Sequence, residues 1–315
     1  MKFKRRFLSL STASCVMILV FVNSLSAQKK IAITFDDLPL TGEQQTIQSA
    51  EYVTNHLRAV TEQYNIPVTL FITGQNLFVD GQTDSRVSLI KSWDIPNVDL
   101  QNHSFSHLSY HQTQNENFFN DIRFKNFLVK HYFQKDSTDF IYFRAPFNHI
   151  GERSTKTDSL LQFLAQENML LAPFTIENSD YIYNKVYINY YENGEYEKAK
   201  SVGKLYLEHL KRSINYFEEL SYETFGEYIP QILLIHSNRI NADYFAEMIL
   251  LLQNSGYQIN SFQEIVKHSA YQNEHPSSEW GISWIHRWRQ KMRLENRLRS
   301  EPEVPESIFK KWQEL

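Results

Sequence analysis

A single cysteine in 315 residues leaves the chain no intramolecular disulfide. That residue, Cys15, lies inside an apolar N-terminal stretch, whereas a lipid-modified cysteine would follow such a stretch. Basic residues are also scarce, 32 against 36 acidic ones, and a chain without a basic excess is poorly suited to nucleic acid. No internal repeat and no low-complexity linker interrupts the text, which excludes a repeat array. The apolar run from Phe7 to about Val22 is short for a membrane span of about 20 residues. Lys2, Lys4, Arg5 and Arg6 precede it and small residues lead to Ala27, so residues 1–27 read as a secretory signal, with an uncleaved anchor as the alternative. Export to the periplasm or beyond the cell is therefore expected. Without the leader, 288 residues remain, with 28 basic and 36 acidic side chains, a balance of −8 and no cysteine. Stability must then come from an apolar core, for which the length is ample.

What is present is an alternation. Strand-like runs at Ile31–Phe35, Val68–Thr73, Val98–His103, Phe140–Phe143, Leu170–Thr175 and Ile232–His236 are separated by segments of helical length. Those helices are expected at Glu43–Tyr64, Ser85–Trp93, Asn115–Phe133, Ser159–Glu167 and Ala242–Asn254. Nearly continuous apolar strands between helices predict an α/β fold with a parallel sheet, open or closed into a barrel. A short strand at Gln258–Asn260 and a capping box at Ser261–Glu264 predict one last core helix. The tyrosine-rich text at about 182–230, with helical spacing in Tyr196–Leu220, reads as an insertion before the final long strand.

In such sheets ligands gather at the carboxyl ends of the strands, and there the sequence concentrates its unusual polar residues. Asp36 and Asp37 close the first strand in ITFDDLP, and His103 and His107 close the third in NHSFSH. Arg144 ends a later strand in YFRAPF, Asp180 follows another in TIENSDY, and His236 ends the last long one in ILLIHSN. The His-x-x-x-His spacing predicts two imidazoles on one face of a helical turn, with the reach of a metal pair. Asp37 would complete a two-histidine, one-carboxylate set with positions left for water and substrate. The cation would also offset the repulsion between Asp36 and Asp37, while Arg144 neutralises the second carboxylate. Non-haem iron uses the same ligand types, but no histidine precedes Asp37 in a His-x-Asp arrangement.

TFDD, HSFSH, RAPF, NSDY and LLIH stand in the order and approximate spacing of five motifs of the polysaccharide deacetylase superfamily, carbohydrate esterase family four. From about Lys30 to Val266 the chain resembles that family. The resemblance implies a distorted (β/α) barrel, to which this chain's own residues add a helical insertion before the last strand and a C-terminal Trp/Arg-rich tail, and it implies metal-dependent removal of N- or O-acetyl groups from a carbohydrate. It implies Asp37, His103 and His107 as ligands of zinc or another divalent transition metal. Asp36 would be the base acting on metal-bound water, oriented by Arg144. His236 would be the acid, with Asp180 as its partner, and the Phe147 N–H would help hold the oxyanion. Phe147 replaces the family's usual tyrosine and Asn148 its glycine, which lets His149 enter the cleft. Glu177 and Tyr181 stand where aspartate and tryptophan are common, so the substrate wall formed by Phe147, His149 and Tyr181 is expected to differ.

The expected organisation is a leader at 1–27, a catalytic domain at 28–272 and a tail at 273–315. His56, His111, His131 and His209 are read as structural or surface histidines. In the tail, Trp280, Trp284 and Trp288 recur every four residues ahead of a run of arginines. They are expected to anchor the tail to the barrel with the arginines solvated; contact of this basic helix with a membrane or glycan is the other reading. The expected partner is an acetylated glycan. A glycan-binding protein that keeps the fold without turnover is the alternative, and the oligomeric state is left open.

Overall fold

The computed structural model describes residues 28–42, 46–133 and 142–315. The leader, the start of the first expected helix and the first half of the Phe140–Phe143 strand lie outside them, as does the side chain of His131. A parallel sheet runs in the order β5 (Leu170–Leu171), β4 (Tyr142–Phe143), β3 (Val98–Asn102), β2 (Val68–Ile72), β1 (Lys29–Leu38), β6 (Gln231–His236). The short β7 (Tyr257–Ile259) pairs with the first three residues of β1. Every residue of β1 from Ile31 to Leu38 is buried, as expected of a central strand covered on both faces.

The sheet curls because the chain changes edges after β5. Sequence periodicity predicts one strand over 170–175, but Pro173 has no N–H to continue a ladder. The segment therefore divides. Leu170 and Leu171 pair with β4, while Ile176 bridges to Leu233 of β6 at the opposite edge. Ile176 N–H donates to the Ile232 carbonyl at 3.0 Å, and the Ile176 carbonyl accepts from Leu234 N–H at 2.9 Å. The result is a distorted half-barrel whose two edges are joined by a single extended segment.

Helices cover the outside. They are α1 (Ile47–Tyr64), α2 (Thr83–Lys91), α3 (Asn115–Phe133), α4 (Ser154–Gln166), α5 (Asp180–Glu192), α6 (Tyr196–Phe225), α7 (Arg239–Asn254) and α8 (Phe262–Ile265). The Thr46 side chain accepts from Ser49 N–H to start α1, and Ser261 accepts from Glu264 N–H to start α8, as the capping signals require. The expected insertion is the pair α5 and α6. Gly203 of α6 lies so close to the Tyr244 ring of α7 that a methyl group there would overlap it. Among the described residues no helix is long and apolar enough to cross a membrane.

The tail is part of the packing. It forms α9 (Trp284–Lys291) and α10 (Glu306–Glu314). Trp284 N–H donates to the Phe174 carbonyl at 3.1 Å and Ser283 Oγ to the Thr175 carbonyl at 2.7 Å, so α9 seals the segment that joins the sheet edges. Trp284 and Trp288 are buried while Trp280 is 68% exposed. The expectation of solvated arginines is corrected for two of them. Arg287 and Arg289 are buried, because their guanidinium groups satisfy carbonyls left free by the irregular chain at Asn148, Pro276, Trp280, Ile282 and Glu295.

Because Trp284 fills the seam, Trp284→Ala is expected to cost about 3–5 kcal/mol of stability, whereas Trp280→Ala should stay within about 0.5 kcal/mol. Urea unfolding of both variants measures the difference. Equal small losses would mean that the tail is not part of the cooperative unit.

Candidate active site

Two adjacent acids reach one pocket because the end of β1 is irregular. Its register to β2 shifts between Phe35 and Leu38, and Asp37 adopts a left-handed backbone at φ 65°. Such a bulge re-aims a side chain, and aspartate tolerates that conformation better than most residues. Asp36 keeps the β1 register opposite His236. Asp37 turns instead towards the loop after β3.

That loop is the source of both imidazoles, and here the sequence expectation is corrected: His103 to His107 do not form a helical turn. Ser104 and His107 lie at φ 63° and 52°, and Asp121 of α3 accepts from the Phe105 and Ser106 N–H groups, each at 2.9 Å. The Asn102 side chain accepts from Ser104 N–H at 2.7 Å. This looped backbone presents His103 Nε2 at 3.6 Å and His107 Nε2 at 3.3 Å from Asp37 Oδ1. One ligand atom from each of the three residues lies within 4.8 Å of the others.

The donor set suits a divalent cation. His103 Nδ1 lies 2.8 Å from the Arg144 carbonyl; a carbonyl only accepts, so Nδ1 carries the proton and Nε2 presents its lone pair. Burial is the leading effect on His107 and pushes its pKa down, which favours the neutral imidazole a metal requires. For Asp37, burial acts upward, but His107, His103, His236 and the Thr73 hydroxyl outweigh it and hold the carboxyl at about 2. Thr73 Oγ1 donates to Asp37 Oδ1 at 2.7 Å, and Thr41 Oγ1 to Oδ2 at 3.3 Å.

Asp36 is locked from behind. Arg144, fully buried at the end of β4, places Nη1 2.9 Å from Asp36 Oδ1 and 2.6 Å from Thr34 Oγ1. Its Nη2 donates to the Pro173 carbonyl at 3.0 Å, and its guanidinium lies 4.2 Å from the centre of the Phe71 ring. Asp36 Oδ2 remains 3.8 Å from His103 Nε2.

On the far side, His236 Nδ1 is 2.7 Å from Asp180 Oδ1. Asp180 opens α5, where the helix N-terminus favours a carboxylate. It also accepts from His236 N–H, the Asn238 amide and the Asn241 amide. Burial alone would push His236 down, but Asp180, with Asp37 and Asp36 beyond it, raises it to about 10. The imidazole is therefore a cation at neutral pH, with Nε2 left to face the pocket.

Phe147 and Asn148 follow Arg144 with successive left-handed backbones at φ 56° and 55°. No group among the described residues accepts from the Phe147 N–H. Its ring is half exposed and flanks His107 at 4.6 Å. The tail holds this turn: Arg287 Nη2 donates to the Asn148 carbonyl at 2.8 Å, Ser278 N–H donates to Gly151, and a methyl group at Gly281 would overlap the Phe147 carbonyl oxygen. Tyr181, 50% exposed, stands beside Asp180. His149 stacks on His111 at 3.9 Å and shares a hydrogen bond with Ser109 Oγ at 2.8 Å; it makes no hydrogen bond to Asp36, Asp37, Asp180, His103 or His107.

Thr34, Thr73, Asn238, Asn241, Arg287 and Gly281 escaped the sequence reading. Thr34 was within reach of it, since residues two apart on a strand share a face. Asn238 caps α7 and Asn241 lies in its first turn, whereas Thr73, Arg287 and Gly281 act through loops and tail contacts that no local pattern encodes.

The two shifted groups bound the stability of the metal-free protein from both sides. Asp37, depressed to about 2, contributes stability above its unfolded value of about 3.9 that is lost as pH falls towards 2. His236, raised to about 10, contributes stability below about 6.5 that is lost as pH rises through its folded value. Urea unfolding in chelator should therefore show His236-linked stability falling as pH rises from about 6.5 towards 10, and His236→Gln should flatten that alkaline limb. An unchanged alkaline limb would contradict the Asp180 pairing.

Residues 24–165 match the family model described as Polysaccharide deacetylase. No curated protein matches the chain significantly. Among solved structures, the wild-type CE4 family pseudoenzyme from Bacillus anthracis is similar at a TM-score of 0.52 and 13% identity, over 76% of this chain and 66% of that one. A mutant of a CE4 family pseudoenzyme with restored enzymatic activity gives 0.52 and 15%, over 76% and 68%. A peptidoglycan N-acetylglucosamine deacetylase gives 0.51 and 14%, over 76% and 89%. At these identities the structural likeness speaks to fold. The family match over residues 24–165 and the five motifs gathered at the strand ends support the polysaccharide deacetylase superfamily, and the structural likeness agrees with it in fold.

Proposed function

We propose that this protein is an exported, zinc-dependent hydrolase that removes acetyl groups from a glycan. The observation that carries the reading is the arrangement of three groups around one pocket: the Asp37, His103 and His107 donor set, the Arg144-bound Asp36, and the Asp180-bound His236. A divalent cation held by the donor set supplies Lewis acidity to water and to the acetyl carbonyl. Asp36, which Arg144 keeps from rotating away, takes the proton of the attacking water as its oxygen bonds to the carbonyl carbon. The free Phe147 N–H donates to the carbonyl oxygen as negative charge develops there. His236, held as a cation by Asp180, passes its Nε2 proton to the departing nitrogen or oxygen as the bond to carbon breaks. Acetate and an amine or alcohol result.

Acetate release from chitooligosaccharides, acetylated xylan and peptidoglycan tests this reading. Release should disappear with chelator and return with zinc, and Asp36→Asn should lower kcat by about 10²–10⁴. Activity that survives both chelator and Asp36→Asn would refute the mechanism. Gly281→Ala, which must move the Phe147 carbonyl, should lower kcat by about tenfold or more, up to the 10²–10³ of a lost oxyanion donor, with metal content unchanged. A kcat equal to wild type would show that the tail does not set the Phe147 turn.

The second reading is a glycan-binding protein without turnover, favoured by the likeness to a CE4 family pseudoenzyme. Glycan binding with no acetate release from any of the three substrates would support it.

A further inference from the structure

Helix α5 leaves the active site with one face open. Tyr181, Lys185, Ile188, Asn189 and Glu192 recur at helical spacing along it, with the buried Asn184 at their base, while Ile182, Tyr183, Val186 and Tyr187 fill the opposite, buried face. The open face forms one wall of a groove of about 420 Å³ whose other wall is Trp312 and Leu315 of the tail. We propose that this groove is a subsite for further sugar rings of the substrate, with Trp312 as its stacking face. The proposal rests on the deacetylase reading of the adjoining pocket and makes its substrate an oligomer or polymer, not a free monosaccharide.

The groove adjoins the catalytic residues through shared walls. Thr41, which lines the groove, donates to the Asp37 carboxylate, and Asn238, which also lines it, donates to Asp180 at 3.1 Å. Tyr181 follows Asp180 directly. From Tyr181 to Glu192 the helical wall extends about 16 Å at 1.5 Å per residue, long for one ring.

The lining has the chemistry of a saccharide. Tyr181 and Trp312 lie 6.3 Å apart, nearly perpendicular, and Phe309 stacks on Trp312 at 5.6 Å. Tyr181 is 50% exposed and Trp312 is half-buried, so these two line the groove with aromatic surface suited to the C–H faces of a pyranose, while Phe309 backs Trp312 from outside the lining. The half-buried Asn189 amide and the Glu192 carboxylate supply donor and acceptor groups for hydroxyls. Ile308 and Val304 pack on the core and hold α10 in place, so the platform exists before a ligand arrives, which lowers the ordering cost of binding.

Calorimetric titration of the full chain in chelator stops turnover and leaves the groove intact. The probes are N-acetylated chitotetraose, acetylated xylotetraose and their monosaccharides. At least one tetrasaccharide should bind more tightly than its monomer. Trp312→Leu, which keeps apolar packing but removes the aromatic face, should weaken that binding by about three- to tenfold, and Trp312→Phe should restore most of it. Equal affinity of Trp312→Leu and wild type would overturn the proposal, as would no tetrasaccharide binding at millimolar concentration. The two readings fail separately. Trp312-dependent binding without acetate release by the metal-loaded protein would sink the deacetylase reading and leave the subsite; acetate release with Trp312-independent binding would do the reverse.

Discussion

The site is organised around one buried cation. Arg144 has no exposed surface, and placing an unpaired guanidinium there would be prohibitive. Its partners define the interior: Asp36 and Thr34 from β1, the Pro173 carbonyl from the segment that joins the sheet edges, and the Phe71 face from β2. A buried ion pair adds little net stability, yet removing either member leaves the other stranded. Its effect is therefore positional. The guanidinium fixes the carboxylate that faces the pocket, and the carbonyl of the same residue fixes the His103 tautomer. One residue thus orients both a base candidate and a ligand candidate.

A second buried cation works from the other side of the same loop. Arg287 has carbonyl partners at Ile282, Pro276, Asn148 and Trp280, and burial brings its pKa down to about 9, still charged at neutral pH. Between Arg144 and Asn148 the chain makes two successive left-handed residues, a conformation that non-glycine residues adopt only when the surroundings impose it. Arg287 and the close approach of Gly281 supply that constraint. The tail therefore does for the Phe147 turn what Asp121 does for the histidine loop.

Much of this was legible in the sequence. The strand ends carried Asp36, Asp37, Arg144, Asp180 and His236 into one region because parallel strands share a polarity, and the apolar runs marked those strands. The pairing of Arg144 with Asp36 followed from charge, and that of Asp180 with His236 from the family resemblance. Three features did not. The edge change at Pro173 lay hidden in a run that reads as one strand, since pairing partners are not local information. The His103–His107 spacing suggested a helix because it matches a helical period, whereas two left-handed residues and Asp121 make a loop that achieves the same convergence. The buried arginines of the tail read as solvated, because the carbonyls that satisfy Arg287 leave no charge partner to find, and Glu223, the acid beside Arg289, lies far off in the sequence.

The pocket gives Asp36 and His236 opposite surroundings. Asp36 and His236 sit in register on neighbouring strands, close enough that the Asp36 charge helps raise the imidazole. Left to each other they would simply form an ion pair and neither would be available. Each is instead given a stronger partner behind it, Arg144 for the carboxylate and Asp180 for the imidazole, and those partners are buried and anchored by further hydrogen bonds. Both functional groups therefore keep one atom free towards the space between them, where the Asp37 set also points. That geometry favours opposite proton transfers on two sides of one bound group, which is what breaking an unreactive acyl bond near neutral pH demands.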